Sequence, residues 1–163
     1  MARWKISIGG HNKEGDCLGV LEFRGNSYKF DSIVFDRALE QISNNTQGNY
    51  LLIDTKGAIN NIMSEDTLKD MELEYTQESI EDIYGTKRLS SRFPRLFKSL
   101  FSNNSNNEIC FYSPEKILDT SSYITNGIHR LYLFSQLSLP CFPLFVTPES
   151  ELILRKRFNQ IIL

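Results

Sequence analysis

The stretch Ser121–Val146, SSYITNGIHRLYLFSQLSLPCFPLFV, constrains this chain more than any other. Its signals run strand, tight turn, helix, strand. Tyr123 and Ile124 are β-formers, and Asn126-Gly127 is a turn pair. From Ile128 the apolar residues Ile128, Leu131, Phe134 and Leu137 recur every three, with Tyr132 and Leu133 between them. A helix apolar on most faces is a buried one. Pro140 stops it, and Phe142–Val146 is a short apolar run with strand character.

The turn is where chemistry is expected. Gly127 lets the backbone bend sharply and approach a ligand. The N–H groups that follow are the open donors of a helix N-terminus, which attracts anions. His129 and Arg130 fall in that first turn, where a cation opposes the helix dipole unless an anion lies nearby. On the residues alone the plainer alternative, with His129 packed and Arg130 paired with a carboxylate, is preferred.

The succession strand, Gly127-x-His129-Arg130, helix, Leu-Pro-x-x-Pro, strand resembles the ParB/sulfiredoxin-like superfamily. The resemblance covers the 26 residues Ser121–Val146 well and the last two-thirds of the chain loosely. It implies an α/β (α+β) fold, a mixed sheet with packed helices, here with an extra N-terminal β-hairpin. It further implies a Gly-x-x-Arg turn that binds nucleotide phosphates, formed by Asn126, Gly127, His129 and Arg130. Members of that superfamily place a basic residue and hydroxyls on a nearby helix facing the phosphates. Arg92, Arg95 and Ser99 are the matching candidates, with an ordinary solvated basic face as the equal alternative. The implied ligand is ATP, ADP or another nucleotide with Mg²⁺, used for phosphoryl or phosphodiester chemistry, which is largely positioning and charge neutralisation.

The chain departs from that pattern in three ways. Ile128 stands where sulfiredoxin needs a cysteine, so sulfinic-acid reduction by that route is excluded. Ile128-His129 also replaces the first two residues after Gly in the Gly-Glu-Arg-Arg turn of partition-type ParB proteins. After Val146 only 17 residues follow, so neither their DNA-binding domain nor their dimerisation segment is expected. The His-Arg pair is closer to the ATP- and ADP-using branches, which need a catalytic carboxylate. Glu78, Glu81, Glu115 and Asp119 are the candidates, none unique.

At 163 residues one domain is the default. The division expected is a hairpin-and-helix extension over 1–49 and the ParB/sulfiredoxin-like domain over 50–163. No run approaches the roughly 18 consecutive apolar residues of a membrane span, and MARWKISIGG has no signal-peptide apolar region. Cys17, Cys110 and Cys141 are odd in number and lack metal spacing, which points to a reduced cytoplasmic setting. Two histidines exclude a His-rich metal site. The net charge of −2 argues against general nucleic-acid binding. Charge is uneven, however. Glu65–Asp82 holds eight acids and one base, while Lys87–Lys98 holds five bases and no acid. These are either two solvated faces or an acidic protein-binding surface beside an anion-binding patch.

Along the chain, residues 3–8 read as a strand and residues 17–35 as a hairpin turning at Arg24-Gly25-Asn26. Asp36 is positioned to cap a helix to about Ser43. Tyr50–Asp54 is a strand. Asp54-x-Lys56 at its end resembles the acidic half of a PD-(D/E)xK nuclease site, in which carboxylates hold a divalent metal. The motif is short, and a plain solvated strand end is the better reading. Met71–Tyr75 alternates weakly as a strand, and Thr76 is expected to cap a helix over Gln77–Tyr84. Phe93, Leu96, Phe97, Leu100 and Phe101 form an apolar helical stripe, expected to pack against the helix after Gly127. Glu108–Tyr112 is a strand, Ser113-Pro114-Glu115 a turn, and Thr147-Pro148-Glu149 a helix start. Two functions from different classes follow. The first is a nucleotide-using enzyme. The second is a non-catalytic binding module, of inhibitor or immunity type, that keeps the fold and meets a basic partner through its acidic stretch.

Overall fold

The computed structural model describes residues 4–6, 19–30, 32–37, 47–77, 79–81, 87–89, 92–101, 108–116 and 127–163. In chain order the strands are β1 Trp4–Ile6, β2 Gly19–Phe23, β3 Asn26–Phe30, β4 Ser32–Asp36, β5 Asn49–Asp54, β6 Ser79–Glu81, β7 Lys87–Leu89, β8 Glu108–Tyr112, β9 Glu115–Lys116 and β10 Cys141–Val146. The helices are α1 Thr55–Ile62, α2 Glu65–Thr76, α3 Arg92–Phe101, α4 Ile128–Gln136 and α5 Pro148–Phe158, followed by a 3-10 turn at Asn159–Ile161. The fold is α+β, with parallel and antiparallel pairing in the same sheet. A three-stranded sheet has the order β1–β4–β8.

Two compact units interleave along the chain. The first comprises Met1–Trp4, Phe35–Ser64 and Phe111–Leu163, the second Lys5–Val34 and Glu65–Cys110.

The first unit is built on the sheet β5–β10–β9. Strand β10 runs antiparallel to β5, from Cys141↔Asp54 to Val146↔Asn49, and parallel to β9 at Phe145↔Glu115 and Val146↔Lys116. Phe142–Val146 are all buried, which is why this strand is a continuous apolar run. Pro143 is tolerated in a middle strand because β9 pairs only with Phe145 and Val146. The outer edge of β5 is closed by the chain terminus, where Ile162 bridges Ile53 and the Leu163 N–H donates to the Leu52 carbonyl at 2.9 Å.

As its all-round apolar pattern predicts, α4 is sunk in this unit, with Arg130 to Phe134 buried. Phe134 is the hub of the aromatic core. Its ring lies 5.2 Å from Phe35, 5.0 Å from Phe111 and 5.2 Å from Phe142, two of them edge-on. The helix ends in a Schellman motif. The Leu139 N–H reaches the Phe134 carbonyl and the Ser138 N–H the Ser135 carbonyl, with Ser138 left-handed at φ 54 in glycine's usual place. Helix α5 starts as its sequence predicts. The Thr147 side chain accepts from the Ser150 N–H, Pro148 opens the helix, acids occupy the first turn and bases the last.

The second unit begins with the hairpin β2–β3, in register from Gly19↔Phe30 to Phe23↔Asn26. Its two-residue turn, Arg24 (φ 48) and Gly25 (φ 81), has the positive angles of a primed hairpin turn. An arginine there is strained, and contacts offset the cost. Its Nη2 donates to the carbonyls of Glu74 (2.6 Å) and Gln77 (2.7 Å), and its guanidinium lies 4.8 Å from the Phe23 ring centre. Arg24 thus serves as the cationic C-terminal cap of α2, whose own last turn has no base.

Helix α2 corrects the expectation of a strand at Met71–Tyr75, and β6 occupies Ser79–Glu81, inside the predicted helix Gln77–Tyr84. Met71, Leu73 and Tyr75 alternate, but Met71 and Tyr75 also lie one helical turn apart, and only those two of the three are buried. Met, Glu and Leu are good helix formers, and Glu65 and Asp66 complement the helix dipole in the first turn. The Tyr75 hydroxyl donates to the Glu22 carbonyl. The α3 stripe buries Phe93, Phe97 and Leu100. Within its own unit Phe97 is stacked on Phe23 at 4.1 Å and touches the rings of Tyr28, Tyr75 and Phe101. Asp36, expected to cap a helix, is the last residue of β4; residues 38–43 of that helix and the strand at Tyr123-Ile124 lie outside the described residues.

Candidate functional site

Gly127 opens α4 at φ 115, a conformation L side chains avoid. Space excludes a side chain as well, because a Cβ there would lie 2.9 Å from Pro114 Cβ and 3.2 Å from Arg130 Nη2. No side chain caps this helix N-terminus. Sequence therefore places the turn correctly, and Gly127, His129 and Arg130 share it.

Arg130 is only 8% exposed, and its guanidinium is committed to main chain. Nη1 donates to the carbonyls of Tyr112 and Ser113, the end of β8 and the residue after it. Ser113 is itself tied to Asp36, its N–H (3.3 Å) and hydroxyl (3.0 Å) both donating to the Asp36 carbonyl. Arg130 joins helix α4 to the end of β8 through charge-assisted bonds to main-chain carbonyls. Two of its bonds are thus to main-chain carbonyls. His129 is half-buried.

The remaining candidates are dispersed. Arg92, Arg95 and Ser99 are exposed on one side of α3, in the second unit, so neither unit alone contains the full nucleotide set. Glu81 lies in β6 and Glu115 in β9. Asn126, Glu78 and Asp119 are outside the described residues. Asp54 is the N-cap of α1, a helix the sequence reading ended short of. Its Oδ2 accepts from the Gly57 N–H at 2.8 Å, and Lys56 is exposed. The signal for α1 was present in Asp54 followed by Ala58, Ile59 and Ile62, though Gly57 in its first turn weakens it.

Cys141 pairs with Asp54 in register. Burial pushes its thiol above the ordinary value, and the Asp54 charge pushes the same way. Among the described residues no group of three or more His, Cys, Asp or Glu is placed to hold a metal ion. No described helix is long and apolar enough to cross a membrane.

Helix α2 presents a different kind of surface. Glu65, Asp66, Asp70 and Glu72 are exposed, Glu74 is half-buried, and Lys69 is the one base. At 100° per residue Leu73 lies opposite the Met71–Tyr75 side, on the outer, acid-rich part of the helix with Lys69 and Asp70 one turn before it, and it is 43% exposed. Compared with protein-family models, curated proteins and solved structures, the chain has no significant match among any of the three.

Proposed function

We propose that this chain is a protein-binding module of inhibitor or immunity type, which docks a basic partner on the acidic face of α2. The observation that carries the reading is Leu73, an exposed apolar residue on the outer side of an acid-rich helix whose other side, Met71 and Tyr75, is fixed in a core. Carboxylates around an apolar centre attract and orient a cationic surface, and desolvation of the centre then supplies affinity. A ParB/sulfiredoxin-like fold kept without its activity belongs to the same proposal, as does a reducing cytoplasmic location, in keeping with an odd number of cysteines without metal spacing. The test is titration of purified basic nucleases with the chain, reading affinity and inhibition of DNA cleavage. Saturable binding that weakens with salt and is lost in Asp66→Lys/Asp70→Lys, with melting temperature unchanged, is expected. Equal binding by that variant would remove α2 from the interface.

A second reading, nucleotide binding with Mg²⁺ at Gly127 and His129, is favoured by the left-handed Gly127 and the uncapped start of α4. It ranks second because Arg130, its main phosphate ligand, is buried and bonded to carbonyls. A nucleotide panel in a thermal-shift assay separates the two. A native-state ligand at 100 times its dissociation constant adds about 2.7 kcal/mol, and the absence of any shift at millimolar nucleotide would end this reading. The Asp54–Lys56 nuclease reading ranks third, its carboxylate being engaged as a helix cap.

A further inference from the structure

We infer that the second unit carries a binding groove for a planar aromatic anion, a ring system bearing a carboxylate or a phosphate. The groove has a volume of about 330 Å³ and is lined by Phe23, Tyr28, Pro94, Phe97, Lys98 and Phe101. That volume lies at the lower end of the roughly 300–1,000 Å³ typical of small-molecule sites. Phe23 and Phe97, buried and nearly parallel, form the floor. Tyr28 and Phe101, half-buried and in ring contact at 4.8 Å, form a wall. Pro94, Lys98 and Phe101 fall at i, i+4 and i+7, so α3 supplies one continuous edge of the groove.

Shape and charge select the occupant together. Four aromatic rings favour a flat, polarisable body that can stack or meet them edge-on. Among the described residues Lys98 is the one charged residue in the lining, and it is exposed. The rest of α3 adds Arg92 and Arg95 and no acid, so an anionic group is attracted and a cationic one repelled. A ring seated on the floor brings its acid group to the Lys98 ammonium, a charge-assisted contact. This inference uses neither the Gly127 turn nor the acidic face of α2, so it stands or falls apart from the readings above.

The test is calorimetry on the full chain with two anionic probes, AMP and indole-3-acetate, and their neutral counterparts, adenosine and indole-3-acetamide. At least one anion should bind saturably and about tenfold more tightly than its neutral partner, a difference of about 1.4 kcal/mol. AMP alone would make the ligand a nucleotide, indole-3-acetate alone an aromatic carboxylate, and either supports the inference. Lys98→Gln should abolish the preference for the anion, and Tyr28→Leu should weaken both partners of the pair. Arg155→Gln, on the surface of the other unit, should change nothing. No saturable heat with either anion at millimolar concentration would overturn the inference, as would anion binding indifferent to Lys98→Gln. Self-association lost in Lys98→Gln, without binding of either anion, would assign the groove to a second copy of the chain and overturn it too.

Discussion

The two units treat their polar groups in opposite ways. In the first, charged and polar side chains turn inward to main chain: Arg130 to the end of β8, Asp54 to the start of α1, Ser113 to Asp36. In the second, α2 and α3 turn acids and bases outward, over a core of stacked rings. At these positions a charge means structure in the first unit and surface on α2 and α3 in the second, whereas Arg24, also in the second, holds the end of α2 through its carbonyls. Arg130 and Arg95 read alike as phosphate ligands in the sequence, yet only burial distinguishes the work each does. An inward charge is detected by its loss of stability, and an outward one by a change in binding alone.

The contrast is broken most easily at the aromatic core of the first unit. Phe134→Ala removes a fully buried ring in contact with three others, and should cost about 3–5 kcal/mol in urea unfolding. A loss below 1 kcal/mol on the same scale would mean that α4 is not the centre of that core.

Arg130→Ala should come next. It strands two backbone carbonyls, at about 1–3 kcal/mol of desolvation. Arg130→Lys should recover only part, since an ammonium lacks the guanidinium's fork. Unchanged stability together with lost nucleotide affinity would reverse the ranking of the two functional readings.

Asp54→Ala should cost about 1 kcal/mol, as for a lost helix N-cap. Melting curves against Asp54→Asn, which keeps an accepting oxygen, would show whether the cap or the charge matters. The same pair probes Cys141. Its thiol holds its proton more tightly when folded, so it adds stability that is complete below the ordinary thiol value of 9.0 and fades as pH rises through the elevated folded value. Removing the Asp54 charge should move the pH midpoint for alkylation of Cys141, followed by mass spectrometry, downward. A midpoint that stays put would leave burial as the sole cause.

The smallest effect is expected at Leu73. Leu73→Ala should change stability by no more than about 0.5 kcal/mol, as at other exposed sites, while weakening the partner complex. A loss of several kcal/mol in the free chain would place Leu73 in a core and remove the basis of the docking face.

Local pattern was sufficient for much of this molecule. Apolar residues on every face of Ile128–Leu137 required a buried helix, Gly127 a turn, Thr147-Pro148-Glu149 a helix start, and the stripe from Phe93 to Phe101 a half-buried helix. All of these rest on interactions within about four residues, which a sequence displays directly. Where local signals were balanced, as in Met71-Glu72-Leu73-Glu74-Tyr75, long-range contacts settled the outcome. The Tyr75 hydroxyl reaches the Glu22 carbonyl and Arg24 caps the helix, partners 50 or more residues away. The candidate site was legible in the same partial way. The turn could be read, but not the use made of Arg130, because its acceptors are carbonyls 17 and 18 residues earlier in the chain. A carbonyl has no signature in the sequence, so only the tertiary structure could show Arg130 buried and bonded to main chain.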